Sequence, residues 1–196
     1  LLAEVSEKAK FDGYTDPAAS EKKLFRNVFK TGDVWFNSGD LLRDLGFKHA
    51  QFVDRVGDTF RWKSENVSTT EVEQVLNAFE QIKESTVYGV EVEGQPGRAG
   101  MAAIVAEGDP SKVDLKALTT YLREQVPAYA VPVFIRFVDS LEVTGTFKHR
   151  KVELRKEGYD PAAMKSAPYV LFHGATQYEP ITPEMYHDIR AGQHRL

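Results

Sequence analysis

One short run, from Asp54 to Glu71, constrains the chain path more than any other: it joins a backbone pivot, three cations and a helix start. Gly57 has no Cβ, so it absorbs large φ/ψ changes at low cost. Arg55, Arg61 and Lys63 flank it with groups suited to phosphate or ribose oxygens. Ser68 and Glu71 then form an S-x-x-E capping box, which opens a helix. Behind the box, Val72, Val75, Leu76 and Phe79 recur at i, i+3, i+4 and i+7, one buried face of that helix.

The periods alternate downstream. Residues 86–92 and 99–106 read as strands, and the loop-forming run Glu93 to Arg98 separates them. A second helix is expected from Asp114 to Gln125, with Leu115, Leu118 and Leu122 on one face and Pro127 stopping it. Val133 to Val138 is a further strand. Hairpin, helix, two strands, helix, strand is the order of a compact α+β unit. Upstream, residues 1–53 read as a short amphipathic segment followed by strand-like pieces, with turns at Ser38–Asp40 and Leu45–Phe47. A basic segment follows Gly145, and a tail punctuated by Pro and Tyr runs from Asp160.

Composition narrows the function classes. A hydrophobic content of 42% over 196 residues supports one or two real cores. A formal net charge of −4 lacks the basic excess of a general nucleic-acid binder. Without cysteine there is no disulfide, thiolate metal site or thiol nucleophile, as suits a reducing compartment. No apolar run approaches the roughly 18–20 residues of a membrane span. The opening Leu1-Leu2-Ala3-Glu4-Val5 has neither a Met nor a signal-peptide pattern, so a fragment of a longer protein is expected.

Three clusters could carry chemistry. Asp40 follows Gly39 at the end of a strand-like run; its carboxylate can accept both hydrogen bonds of a ribose diol, although an ordinary turn aspartate fits the same letters. Arg55 can hold ribose or phosphate oxygens, or pair with Asp54 or Asp58 on the surface. Arg61, Trp62 and Lys63 alternate in a strand, which puts Arg61 and Lys63 on one face and Trp62 on the other. In the third cluster, residues 144–151, Gly145 supplies a turn and Lys148 can reach a neighbouring site to stabilise charge on a phosphate; a solvated basic loop is the alternative. No G-x-x-x-x-G-K-S/T loop occurs, and the five histidines show no metal-binding spacing, so no metal site is expected in these residues.

Taken together, several segments resemble the carboxy-terminal portion of an adenylate-forming acyl-CoA synthetase, within the fatty acid transport protein / very-long-chain acyl-CoA synthetase family. They are residues 36–42, 54–63, 65–73, 126–132 and 144–148, with the ending from Tyr178 to Leu196. The likeness spans nearly the whole chain. It implies a fatty acid–CoA ligase that makes an acyl-adenylate from Mg-ATP and then transfers the acyl group to CoA. Residues 1–53 would close the large domain, 54–58 form the hinge and 59–196 the mobile small domain. The resemblance assigns Asp40 and Arg55 to the nucleotide, Gly57 and Asp58 to the hinge, and Lys148 to adenylation. Arg61, Trp62, Lys63, Ser64 and Glu65 would line the pantetheine tunnel. ATP, Mg2+ (held mainly by the large domain), CoA and fatty acid are the implied ligands. A cytoplasmic location is expected, with peripheral membrane contact, a homodimer and a role in fatty acid uptake left open.

Two departures from the family pattern stand out. Ser64 occupies a place where glycine is usual, adding a Cβ either where pantetheine would pass close to the backbone or where φ is positive. In many relatives glycine directly precedes the lysine, whereas Thr146 and Phe147 separate Gly145 from Lys148 here. Two other readings stay open on sequence alone: a non-catalytic binding or regulatory module, and an adenylating ligase for another carboxylic acid.

Overall fold

The chain divides into two units, Leu1–Gly57 and Asp58–Leu196, in a computed structural model. It describes residues 1–13, 15–55, 59–141 and 151–196, with the backbone alone at 19, 41 and 52–55. Gly57, Asp58 and Lys148 therefore lie outside the described residues.

The first unit is built from short antiparallel strands. Strand β1 (Leu2–Glu4) takes up the opening segment expected only to be amphipathic. Asp16 caps helix α1 (Pro17–Glu21) by accepting from the Ala18 N–H. Strands β2 (Leu24–Arg26) and β3 (Val34–Asn37) complete a sheet of order β1-β3-β2. Strands β4 (Asp40–Gly46) and β5 (His49–Arg55) form a separate hairpin. Between β2 and β3 the chain folds around Asp33, which is only 5% exposed. Its carboxylate accepts from the N–H groups of Val28, Phe29 and Lys30 and from the Trp35 indole, at 2.7–3.0 Å. Burial works against that charge, but the indole and backbone donors outweigh it and hold the carboxyl at about 2.

The second unit follows the expected order. Strands β6 (Phe60–Trp62) and β7 (Glu65–Val67) pair as a hairpin that runs into helix α2 (Thr69–Asn77). The Ser68 hydroxyl accepts from the Glu71 N–H, the capping interaction read from the sequence. Strands β8 (Ile82–Val90) and β9 (Ala99–Ala106) pair antiparallel. The first begins four residues before the expected Thr86, and Phe79 lies just past the helix end while still packing on the core. Asp114 caps helix α3 (Leu115–Gln125), which carries the chain across to β10 (Phe134–Phe137), parallel to β9.

Helix α4 (Lys151–Glu157) follows. The tail does more than wrap the end: β11 (Tyr169–Val170) and β12 (Glu179–Pro180) extend the sheet to the order β12-β11-β10-β9-β8. Helix α5 (Pro183–Arg190) closes the unit. Leu76, Leu118, Leu122, Met101, Ile104, Phe134 and Ile135 are fully buried between the helices and the sheet. Each such side chain contributes roughly 1.5–3 kcal/mol.

Candidate functional site

Asp40 is the first residue of β4 rather than the end of the preceding strand, which stops at Asn37. The turn between them is built from side chains: Asn37 accepts from the Gly39 N–H at 3.0 Å, and the Ser38 hydroxyl from the Asp40 N–H at 3.1 Å. Gly39 takes φ +81°, a conformation that favours glycine. Across the hairpin, Asp40 stands in register with Arg55, and a bulge follows between Leu41 and Leu42. The fold thus brings two residues 15 positions apart to the same open end of one hairpin. Cross-strand partners at this spacing can share one ligand.

Residues 61–65 form a second hairpin of different construction. Trp62 pairs with Glu65, leaving Lys63 and Ser64 as a two-residue loop with φ of +50° and +69°. Positive φ at both central residues is the type I′ pattern, which matches the strand twist but favours Asn-Gly over Lys-Ser. Ser64 thus has a positive φ, one of the two alternatives for a place where glycine is usual. Lys63, however, is not a strand residue on the face of Arg61: it lies in the turn, with its ammonium 5.8 Å from the centroid of the Trp62 ring. Arg61 is exposed, whereas Phe60 and Trp62 point inward at 6% and 3% exposure.

Glycines let this hairpin dock on the sheet. A Cβ at Gly97 would run into the Arg61 carbonyl oxygen, and one at Gly89 would lie 2.6 Å from the Phe60 Cβ. The Arg98 N–H donates to that Arg61 carbonyl at 2.7 Å, and Trp62 bridges to Gly97. The backbone that presents Arg61 to Glu65 is therefore pinned directly to the loop between β8 and β9.

Beside the turn lies a cavity of about 440 Å³ lined by Trp62, Lys63, Glu65, Arg123, Tyr129 and Phe172, among others. Its walls are held from two sides. The Tyr178 hydroxyl donates to the Pro132 carbonyl at 2.6 Å, and complete burial raises the hydroxyl's pKa. Arg123 donates to the Ala175 carbonyl at 2.7 Å. Aromatic walls with a few placed charges suit a ligand that is part apolar and part polar. Arg123, Phe172 and Gly97 escaped the sequence reading; the only local trace is a glycine following Pro96 in a loop.

The site residues thus separate into one pair in the first unit, Asp40 with Arg55, and one hairpin in the second, Arg61 to Glu65. Residues 71–148 match the sequence model of the AMP-binding enzyme C-terminal domain. Over 193 residues the chain is 48% identical to the medium/long-chain-fatty-acid–CoA ligase FadD6 of Mycobacterium tuberculosis, covering 98% of this chain and 32% of that protein. It is 46% identical to human long-chain fatty acid transport protein 3, covering all of this chain and 29% of that one. Among solved structures, the amide bond synthetase McbA from Marinactinospora thermotolerans superposes with a TM-score of 0.60 at 28% identity, over 80% of this chain and 31% of that one. The chain spans about a third of the length of the curated relatives it matches.

Proposed function

Taking residues 71–148 to be an AMP-binding enzyme C-terminal domain of the adenylate-forming kind, we propose that the full-length protein is a long-chain fatty acid–CoA ligase (AMP-forming). The observation that carries this reading is the likeness to FadD6 and to fatty acid transport protein 3 across 98–100% of the chain. Two steps follow. A carboxylate oxygen of the fatty acid attacks the α-phosphorus of ATP, and the bond to pyrophosphate breaks. The CoA sulfur then attacks the acyl carbon, and AMP leaves.

In this reading Asp40 and Arg55, in cross-strand register, hold the ribose hydroxyls and adjacent oxygens of the nucleotide. Lys148 stabilises charge on the α-phosphate and carboxylate during adenylation. The turn from Arg61 to Glu65 and the cavity beside Trp62 receive the pantetheine arm in the second step. Residues 1–53 end the large domain, Gly57 and Asp58 lie in the hinge of 54–58, and 59–196 swing between the two steps. Mg2+ travels with ATP and is held mainly outside these residues. Among the described residues no helix is long and apolar enough to cross a membrane. We assign the protein to the cytoplasm, with a lipid substrate drawing it to membrane surfaces and coupling to fatty acid uptake.

The test is pyrophosphate release and acyl-CoA formation by the full-length protein against fatty acids of graded length. Long chains should give the highest kcat/KM, and Asp40→Asn should raise the KM for ATP roughly tenfold through a lost charged hydrogen bond. Residues 1–196 alone should form no acyl-CoA; turnover by them would overturn this division of labour. Because McbA is by name an amide bond synthetase, amines belong in the assay as competing acceptors. Amide without thioester would replace CoA as the acceptor.

A further inference from the structure

The tail from Tyr169 onward lies beyond the residues 71–148 that match the AMP-binding enzyme C-terminal domain, yet it is built into the second unit's sheet. Just past β11 the Leu171 N–H donates to the Val133 carbonyl at 2.8 Å. Tyr178 is tied to the Pro132 carbonyl, and Arg123 on α3 to the Ala175 carbonyl. Past α5 the chain returns to the same place. There the His173 N–H donates to the Arg195 carbonyl at 3.1 Å. The His194 ring stacks on Phe172 with 4.5 Å between centroids and 28° between planes.

The consequence falls on the cavity beside the Lys63–Ser64 turn. Apart from the hairpin, Arg123 and residues 128–133, its lining comes from the tail: Leu171 to Gly174 and Leu196. Leu171 is buried, and Phe172 is half-buried and packs on the core, so this wall is set before any ligand arrives. A pantetheine arm joins polar amides to an apolar carbon bearing two methyl groups. Lys63 and Glu65 offer polar partners for the amides, whereas the methyl groups need an apolar surface whose burial costs no hydrogen bond. We propose that Phe172, backed by His194, is a specificity-determining residue for the second step: its ring packs against the dimethyl part of the arm. This rests on the assignment of the cavity to pantetheine above. A ring already held by core packing and stacking loses little freedom when the arm binds, so most of the contact is expressed as selectivity.

The test uses the full-length protein and two acceptors, CoA and a CoA analogue lacking both methyl groups. Wild type should favour CoA over the analogue roughly tenfold in kcat/KM, and Phe172→Ala should lose most of that preference. Phe172→Ala should raise the KM for CoA by a similar factor, and Phe172→Tyr, which keeps the ring, should not. Pyrophosphate release in a single turnover without CoA should keep its rate, because that step does not use the cavity. Should Phe172→Ala fail to fold, His194→Ala removes only the ring stacked on Phe172 and should raise the KM for CoA roughly threefold. The control is Ala128→Trp, which fills the cavity from an exposed residue outside the tail and should block thioester formation. If it does, equal losses in both half-reactions of Phe172→Ala, or a preference for CoA that survives this change, would overturn the role of Phe172 alone. Normal thioester formation by Ala128→Trp would overturn the pantetheine assignment and the role of Phe172 with it.

Discussion

The two hairpins that carry the site residues close in the same way and are supported in opposite ways. In β4–β5 the loop is Phe47-Lys48 with φ of +52° and +63°; in β6–β7 it is Lys63-Ser64 with +50° and +69°. Both are two-residue turns with positive φ and no glycine at either central position, so both carry local strain. The β6–β7 hairpin is docked on the sheet of its unit. Phe60 and Trp62 are buried against glycines of β8, β9 and their loop, while at the β4–β5 tip Phe47 is 97% exposed. A short hairpin can keep an unfavourable turn when long-range packing holds its strands. The other hairpin has longer cross-strand pairing, along seven-residue strands.

Removing the packing should separate the two most sharply. Trp62→Ala deletes a buried aromatic and should destabilise the second unit by about 3–5 kcal/mol. Phe47→Ser, at the matching tip, should change stability by less than about 0.5 kcal/mol. Denaturant titration followed by far-ultraviolet circular dichroism, which does not depend on the deleted tryptophan, would measure both. A Trp62→Ala effect under 1 kcal/mol would show that the hairpin is not anchored through this ring.

The supporting glycines give the next contrast. Gly97 has φ +88° and a backbone carbonyl where its Cβ would stand, so Gly97→Ala should lose about 2–4 kcal/mol. Gly46 has φ +80° but nothing within 4 Å, and Gly46→Ala should lose only about 1 kcal/mol, from φ alone. Equal losses in thermal unfolding would mean that close approach adds nothing to the docking.

These pairs also mark what can be read from the chain directly. The capping box, both helical faces of the second unit and its strand order follow from local period and turn chemistry. Asp40 and Arg55 could be singled out by residue type, but not their shared register, which depends on a bulge after Leu41. Alternation puts Lys63 on the strand face of Arg61 only when extended one residue beyond Trp62, where the turn begins. The tail strands, two residues each, are too short to show a period. An ion pair from Lys151 to Glu73 spans 78 positions, and nothing local in either residue announces the other. Gly57, Asp58 and Lys148 lie outside the described residues, and their roles rest on residue chemistry and the resemblance.

A charged group distinguishes the first unit in a further way. The Asp33 carboxyl is held at about 2, below its ordinary 3.8, despite burial, because the Trp35 indole and three backbone N–H groups bind the charged form. The folded pKa is depressed, so its stabilisation is present above pH 3.8 and is lost as pH falls through about 2. In acid titrations followed at Trp35, wild type should exceed Asp33→Asn in stability at pH 6 and lose that margin between pH 4 and 2. The second unit, followed at Trp62, should show no difference between the two proteins. A margin independent of pH would assign the effect to shape rather than charge.

The smallest effect tests the turns themselves. Ser64→Gly removes a Cβ at φ +69° and Lys48→Gly one at φ +63°; each should stabilise its hairpin by about 0.5–1 kcal/mol after the added backbone entropy of glycine is deducted. If packing and turn strain act independently, the two gains should agree, although the tip residue Phe47 is exposed and Trp62 is buried. A much smaller gain at Ser64 would mean that docking has already relaxed the turn. In the full-length protein Ser64→Gly carries a second readout, because the turn borders the cavity assigned to pantetheine. CoA-dependent AMP release should rise while pyrophosphate release stays constant. Lys48→Gly should raise neither, so a rise there would trace the gain to stability instead of to room beside the thiol arm.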